Sequence, residues 1–116
     1  MTQFRISQPA QADLVNILAT SDERWGPDGR RRYALLLAAA MRRVAADPKG
    51  PLTHDRDELL PGVRSFHLRH ARSDAPEAKI KHPVHFIYYR VGPKKLIDVL
   101  RVLYDRMDPR KHLAEE

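Results

Sequence analysis

Two breaks, Gly26-Pro27 and Asp47-Pro48, divide the first half of this chain and limit what it can become. A residue before proline avoids the α region, and glycine turns the chain more freely than any other residue. The helix-forming stretch over 7–46 is therefore two helices and not one. Ser7 with Pro9 starts the first, a hydroxyl cap followed by a ring with preset φ. Leu14, Ile17, Leu18, Ser21 and Trp25 then recur at helical spacing. Asp28 caps the second, whose apolar stripe is Tyr33, Leu36, Leu37, Ala40 and Val44, and Asp47-Pro48 ends it. Two helices joined by so short a turn are expected to pack as an antiparallel hairpin.

Past Pro48 the period changes. Residues 49–62 are loop-like, punctuated by proline and glycine. Residues 63–70 alternate around Phe66 and Leu68, 84–91 are rich in β-branched and aromatic residues, and 96–104 are nearly all aliphatic. Upstream, 2–7 alternate as well, which places Phe4 and Ile6 on one face of a short strand. Residues 90–95 join the last two strands as an antiparallel hairpin. Residues 71–83 form a long polar connection, expected to be mobile at its tip. The order β-α-α-β-β-β over a single domain, 1–116, gives an α+β fold. Its helical hairpin packs on one face of a small, mainly antiparallel sheet and leaves the opposite face free. Strand parity sets Arg101 on the helix-packed face with Val99 and Leu103, where it is expected to pair with an acid such as Asp13 or Glu23.

Composition removes several classes of function. No cysteine is present, so a disulfide framework and a thiolate zinc site are both excluded. The histidine pairs His67/His70 and His82/His85 are three apart, which on a strand points each pair to opposite faces, so no metal site is expected. No cofactor motif is present. The start, MTQFRIS, lacks the apolar run of a signal peptide, and no segment is long enough to span a bilayer. A cytoplasmic protein that makes no use of a membrane is the expectation. Lys and Arg number 21 against 15 acids, a formal net charge of +6. That balance suits nucleic acid, an acidic partner or an anionic surface, and equally a soluble basic exterior.

A set of ordered motifs carries more than any one of them. They are Asp13-Leu14 with Ile17, then Glu23-Arg24-Trp25-Gly26, Asp47-Pro48, Leu60-Pro-Gly-Val-Arg-Ser-Phe66, His85-Phe-Ile-Tyr-Tyr-Arg90 and Val99-Leu-Arg-Val-Leu-Tyr-Asp-Arg-Met-Asp108. In order and spacing the chain resembles the ParE branch of the ParE/RelE toxins of type II toxin–antitoxin systems, over nearly its whole length. The charged connection 71–83 departs from that pattern. The resemblance implies a small toxin, neutralised by a ParD-like antitoxin in a hetero-oligomeric complex. ParE-type members poison DNA gyrase by binding, whereas RelE-type members cut messenger RNA on the ribosome.

Cutting RNA needs a base for the 2′-hydroxyl and cations around the developing phosphorane. Carried over by position, the two lysines of RelE-like enzymes fall on Ser65 and His67. Their next arginine falls in the stretch holding His85 and Phe86, where none is present. The last-strand arginine matches Arg106, and the tyrosine beyond it falls near His112. The lysine pair is lost, so the non-enzymatic gyrase inhibitor is the expected function. An endonuclease using His67, Arg106 and His112 is the alternative, and a decayed toxin serving only in autoregulation is a third. Arg69, Tyr104, Arg106, Arg110 and Lys111 are the expected target contacts. Trp25, Arg31, Tyr33, Leu37 and Met41 are the expected lining of an antitoxin groove, although their spacing also suits plain core. Arg30-Arg31-Arg32 places three cations at the positive end of a helix dipole. Either an acidic partner segment or simple solvation accounts for it.

Overall fold

The computed structural model describes residues 4–113. A helical run, Gln8–Ala46, is broken where the sequence says it should be. Gly26 sits at φ 74 and ψ −177, a conformation essentially reserved for glycine. Unbroken, the 39 residues of that run would span about 58 Å, against a longest molecular extent of 38 Å. The run therefore folds back as two helices, α1 (8–25) and α2 (27–46). Asp22 and Arg30 meet across the bend at 3.5 Å. Gly29 leaves room there, because a Cβ would overlap the Cβ of Trp25. Ser7 caps α1, its Oγ accepting from the Ala10 N–H at 3.2 Å. The same hydroxyl donates to the Leu100 carbonyl at 2.8 Å, which ties the helix start to the last strand.

Five strands form one sheet: β1 (Phe4–Ile6), β2 (His54–Asp55), β3 (Val63–His67), β4 (His85–Val91) and β5 (Ile97–Tyr104). Their order is β1-β5-β4-β3-β2, with β1 parallel to β5 and every other pair antiparallel. Thr2 and Gln3 of the expected first strand lie outside the described residues. Two features depart from expectation. The two-residue β2 was hidden among loop punctuation. The third strand stops at His67 and does not run to 70, because the chain turns into a 3₁₀ helix, Leu68–Asp74. The His67 Nδ1 accepts the Arg69 N–H at 3.1 Å and caps that turn.

The connection 71–83, expected to be long, polar and mobile at its tip, is docked through part of its length. Ala71, Ala75 and Ala78 are buried in the same apolar cluster as α2. Arg43 of α2 holds the segment by the His70 carbonyl at 2.9 Å and the Asp74 carboxylate at 3.2 Å. Alanines three or four residues apart are the signal that the surrounding charges masked.

On the α-side of the sheet, Phe66, Ile87, Tyr89, Ile97, Val99 and Val102 pack against Leu36 and Val44 of α2 in one buried cluster. The Tyr89 hydroxyl donates to the Pro48 carbonyl at 2.6 Å, which satisfies its polar end. Strand parity fails in β5. Val99 pairs with Tyr89 and Arg101 pairs with Tyr88, so Leu100 is an extra residue and the strand bulges there. Val99 and Val102 thus share the α-side, while Leu103 turns to the outer side. The placement of Arg101 with Val99 and Leu103 on one face is corrected accordingly. Of the two acids named as partners for Arg101, Asp13 and not Glu23 forms the ion pair, at 2.7 Å.

Candidate interaction surfaces

The outer face of the sheet is not bare, contrary to the expectation of a free surface. Val63, Tyr88, Leu103 and Leu113 are buried together, with Leu59, Leu60, Phe86 and Leu100 packed at the margin. Leu113 comes from the segment after β5, and Leu59 and Leu60 from the loop before β3, so the chain covers part of its own outer side. Arg101 fastens this arrangement at the sheet edge. Its guanidinium meets both oxygens of Asp13 at 2.7 and 2.8 Å and donates to the His112 carbonyl at 2.9 Å. Asp13 also accepts the Val102 N–H at 2.9 Å. One carboxylate therefore serves the start of α1, an unpaired stretch of β5 and, through Arg101, the C-terminal segment. The ion pair holds the Arg101 guanidinium charged more firmly than usual.

Under this outer layer lies His67, only 3% exposed. Its Nδ1 is occupied by the Arg69 N–H, so the ring proton resides on Nε2 and is donated to Asp105 at 3.0 Å. The ring stacks edge-on against Phe86. Ser65 beside it is equally enclosed, at 1%. Of the three residues of the nuclease alternative, His67 is sealed, Arg106 is exposed and His112 lends its carbonyl to Arg101. Among the described residues no three His, Cys, Asp or Glu side chains gather as a metal-holding group.

The charged residues after β5 divide by sign. Asp105 is bonded to His67, and Asp108 caps the turn Pro109–Lys111 by accepting the Arg110 N–H at 3.0 Å. The cations Arg106, Arg110 and Lys111 are exposed, and among the described residues none is paired with a carboxylate. Arg69 and Tyr104 are exposed at the same end of the sheet, beyond His67 and before Asp105. The five expected target contacts all lie at the surface. Arg69, Tyr104 and Arg106 share that end, whereas Arg110 and Lys111 ride on the segment folded over the outer face.

The expected antitoxin groove is corrected. Tyr33, Leu37 and Met41 are core residues of α2, buried against the sheet. Trp25 and Arg31 are exposed, Trp25 at 71%, with Arg31 paired to Asp28 at 3.1 Å. Tyr33 has a structural role. Its hydroxyl accepts the Val84 N–H at 3.3 Å and donates to His85 Nδ1 at 2.6 Å. Burial pushes the Tyr33 hydroxyl up to about 12 and the His85 imidazole down to about 4, so both stay neutral.

A groove that the sequence did not announce opens between α2 and residues 72–81, with a volume of about 510 Å³. Pro76 and Ile80 contribute apolar surface above the buried Leu36 and Ala78, and Arg72, Lys79 and Lys81 contribute charge. Arg72 donates to the Lys81 carbonyl at 2.6 Å and shapes the rim.

A family model described as the ParE toxin of type II toxin–antitoxin systems, parDE, matches residues 4–109, nearly the whole chain. The chain belongs to the ParE toxin family. It is 33% identical over 112 residues to Toxin ParE1 of Mycobacterium tuberculosis, covering 97% of this chain and 98% of that one. It is 31% identical over 115 residues to Toxin ParE of Escherichia coli, covering 99% and 96%. Toxin ParE1 of Caulobacter vibrioides is 29% identical over 114 residues, covering 98% and 100%. A solved structure titled as a chromosomal ParDE TA system from P. aeruginosa superposes with a TM-score of 0.63 at 19% identity. That match covers 90% of this ParE-type chain and 96% of the other, and it is a likeness of fold. No described helix is long and apolar enough to cross a membrane.

Proposed function

We propose that this ParE-type toxin inhibits DNA gyrase by binding, without catalysis, and is neutralised in the cytoplasm by a ParD-like antitoxin. The observation that carries binding over cutting is the enclosure of His67. A general base must reach the proton it removes, directly or through one water. His67 lies beneath the outer cluster with both ring nitrogens engaged. Ser65, where the RelE-like pattern has its other strand lysine, is neutral and enclosed. The exposed groups are of another kind. Arg69, Arg106, Arg110 and Lys111 offer planar forks and an ammonium suited to gripping carboxylate or phosphate.

Supercoiling and DNA-cleavage assays with purified gyrase, the host's own included, test this. Loss of supercoiling and accumulation of cleaved DNA are expected. Arg106→Ala with Arg110→Ala should weaken the effect by about tenfold or more, as removal of interface arginines commonly does. Absence of inhibition by micromolar wild-type toxin would end the proposal. Primer extension on translated messages examines the nuclease alternative: toxin-dependent cuts lost in His67→Ala would replace gyrase with RNA as the target.

A further inference from the structure

We propose that the turn Tyr104–Met107 is a preformed docking knob for the target protein. Tyr104 and Met107 enter an apolar pocket of that protein, while Arg106 meets a carboxylate at its rim. The inference rests on the preceding section's conclusion that the toxin acts by binding, and it gives the enclosed His67 a task. The Met107 N–H closes the turn by donating to the Tyr104 carbonyl at 2.9 Å. Asp105, inside the turn, is held twice. Its N–H donates to the Val84 carbonyl at 2.8 Å, and its carboxylate accepts from His67 Nε2 at 3.0 Å. The Tyr104 ring leans on His85, with centroids 6.2 Å apart, and His85 is bonded to the Tyr33 hydroxyl at 2.6 Å. Strands β3 and β4 and helix α2 thus fix one short tip. A loop ordered in advance has little further freedom to lose on association.

What the turn holds outward suits a protein partner. Tyr104 is 36% exposed and Met107 45%, and Val84, on the adjoining strand end, is 36% exposed. Large apolar side chains gathered at one place on a surface mark an interaction site more than scattered ones do. Tyrosine, methionine and arginine are also the types enriched at protein interfaces. Charge argues against nucleic acid as the occupant. Acids alternate with bases along the tip, as Asp105, Arg106, Asp108 and Arg110, so a phosphate backbone would meet carboxylates as well as cations. A single partner carboxylate would meet one fork, that of Arg106, which has no acidic partner among the described residues. The buried imidazole points the same way. Beside Val63 and Leu103 an apolar side chain would pack without needing an acceptor, whereas His67 needs Asp105. A directed hydrogen bond fixes what packing leaves free, the angle at which the turn leaves the sheet.

The test is toxin potency, read both as inhibition of purified gyrase and as growth arrest on expression without antitoxin. Tyr104→Ala with Met107→Ala should lower potency by about tenfold or more. Both side chains are exposed, so circular dichroism should show an unchanged fold. Val15→Ala, which trims an exposed apolar residue on α1, should keep full potency. Asp105→Ala should weaken the toxin by a similar factor, and Asp105→Asn, whose amide oxygen still accepts from His67, should restore most of the loss. Added to the Tyr104→Ala, Met107→Ala pair, Asp105→Ala should do nothing further, because a positioning residue acts only through what it positions. Full potency of that pair, or losses that simply add, overturns the proposal. So does a wild type that binds duplex DNA through Arg106 but not DNA-free gyrase in surface plasmon resonance, which would make the knob a nucleic-acid contact. Growth arrest that depends on the knob without gyrase inhibition removes the target reading alone. Gyrase inhibition that ignores the knob removes this proposal alone, and a wild type inert in both assays removes both.

Discussion

On the α-side of the sheet, Phe66, Ile87, Tyr89, Val99 and Val102 meet α2 in a continuous apolar layer. On the outer side, four buried residues, Val63, Tyr88, Leu103 and Leu113, share space with His67, Asp105 and Arg101. The difference is one of purpose as well as area. A continuous apolar layer secures the fold because every added contact removes more surface from water. A small cluster threaded by hydrogen bonds secures geometry: it fixes where the C-terminal segment runs and which cations stay outside. The surface facing a macromolecular target is thereby held by interactions that are few, polar and separable from the core.

Equilibrium unfolding can break that contrast. Leu36→Ala, on the α-side and fully buried, should cost about 3–5 kcal/mol. Urea midpoints measure it, and a loss below about 1 kcal/mol would mean that the α-side layer is not the stabilising one. The edge between the faces comes next. Asp13→Ala strips Arg101 and the Val102 N–H of their acceptor and should cost about 2–3 kcal/mol. If Asp13→Ala matches wild type, Arg101 does not tie the two sides together.

A pH titration sharpens the comparison at a similar magnitude. His85 packs on Tyr33 and titrates near 4 when folded, against 6.5 ordinarily. Between those values the unfolded chain binds the proton and the folded chain does not. The stabilisation is therefore complete above about 6.5 and lost as pH falls toward 4, by on the order of 3 kcal/mol. The thermal midpoint of wild type should fall across this window more steeply than that of His85→Gln. Parallel profiles would contradict it. On the outer side, Leu113→Ala should cost only about 1–2 kcal/mol and expose the C-terminal segment to proteolysis, leaving the sheet intact. Parity with Leu36→Ala would erase the distinction. Smallest of all, Trp25→Ala should change stability by under about 0.5 kcal/mol, because the indole is exposed.

Much of this was legible in the residues. The breaks at Gly26-Pro27 and Asp47-Pro48, the Ser7 cap and strands β3 to β5 follow from local rules of backbone geometry and burial, and the cost of a buried guanidinium called for an acid beside Arg101 without choosing between Asp13 and Glu23. Local rules also erred in definable ways. Parity along β5 failed at Leu100, since a bulge is set by the partner strand and not by the strand's own alternation. The spacing of Tyr33, Leu37 and Met41 was correct for α2, but spacing cannot say whether a stripe meets the sheet or a partner. Ala71, Ala75 and Ala78 were lost among charges because alanine is weakly apolar, and three of them matter only once α2 lies above.

What the sequence determined by itself was the inventory and its order: two helices, the strands that follow and a basic balance, each of which depends on interactions between near neighbours or on composition. The likeness to ParE toxins came separately, from the order of its motifs. Tertiary structure alone decided that His67 is enclosed, that the outer face is partly covered by Leu59, Leu60 and Leu113, and that residues 72–81 build a groove with α2. The physical reason is that enclosure and cavity shape arise where distant segments meet. Residues 38 positions apart, such as His67 and Asp105, acquire a relation only when the sheet closes.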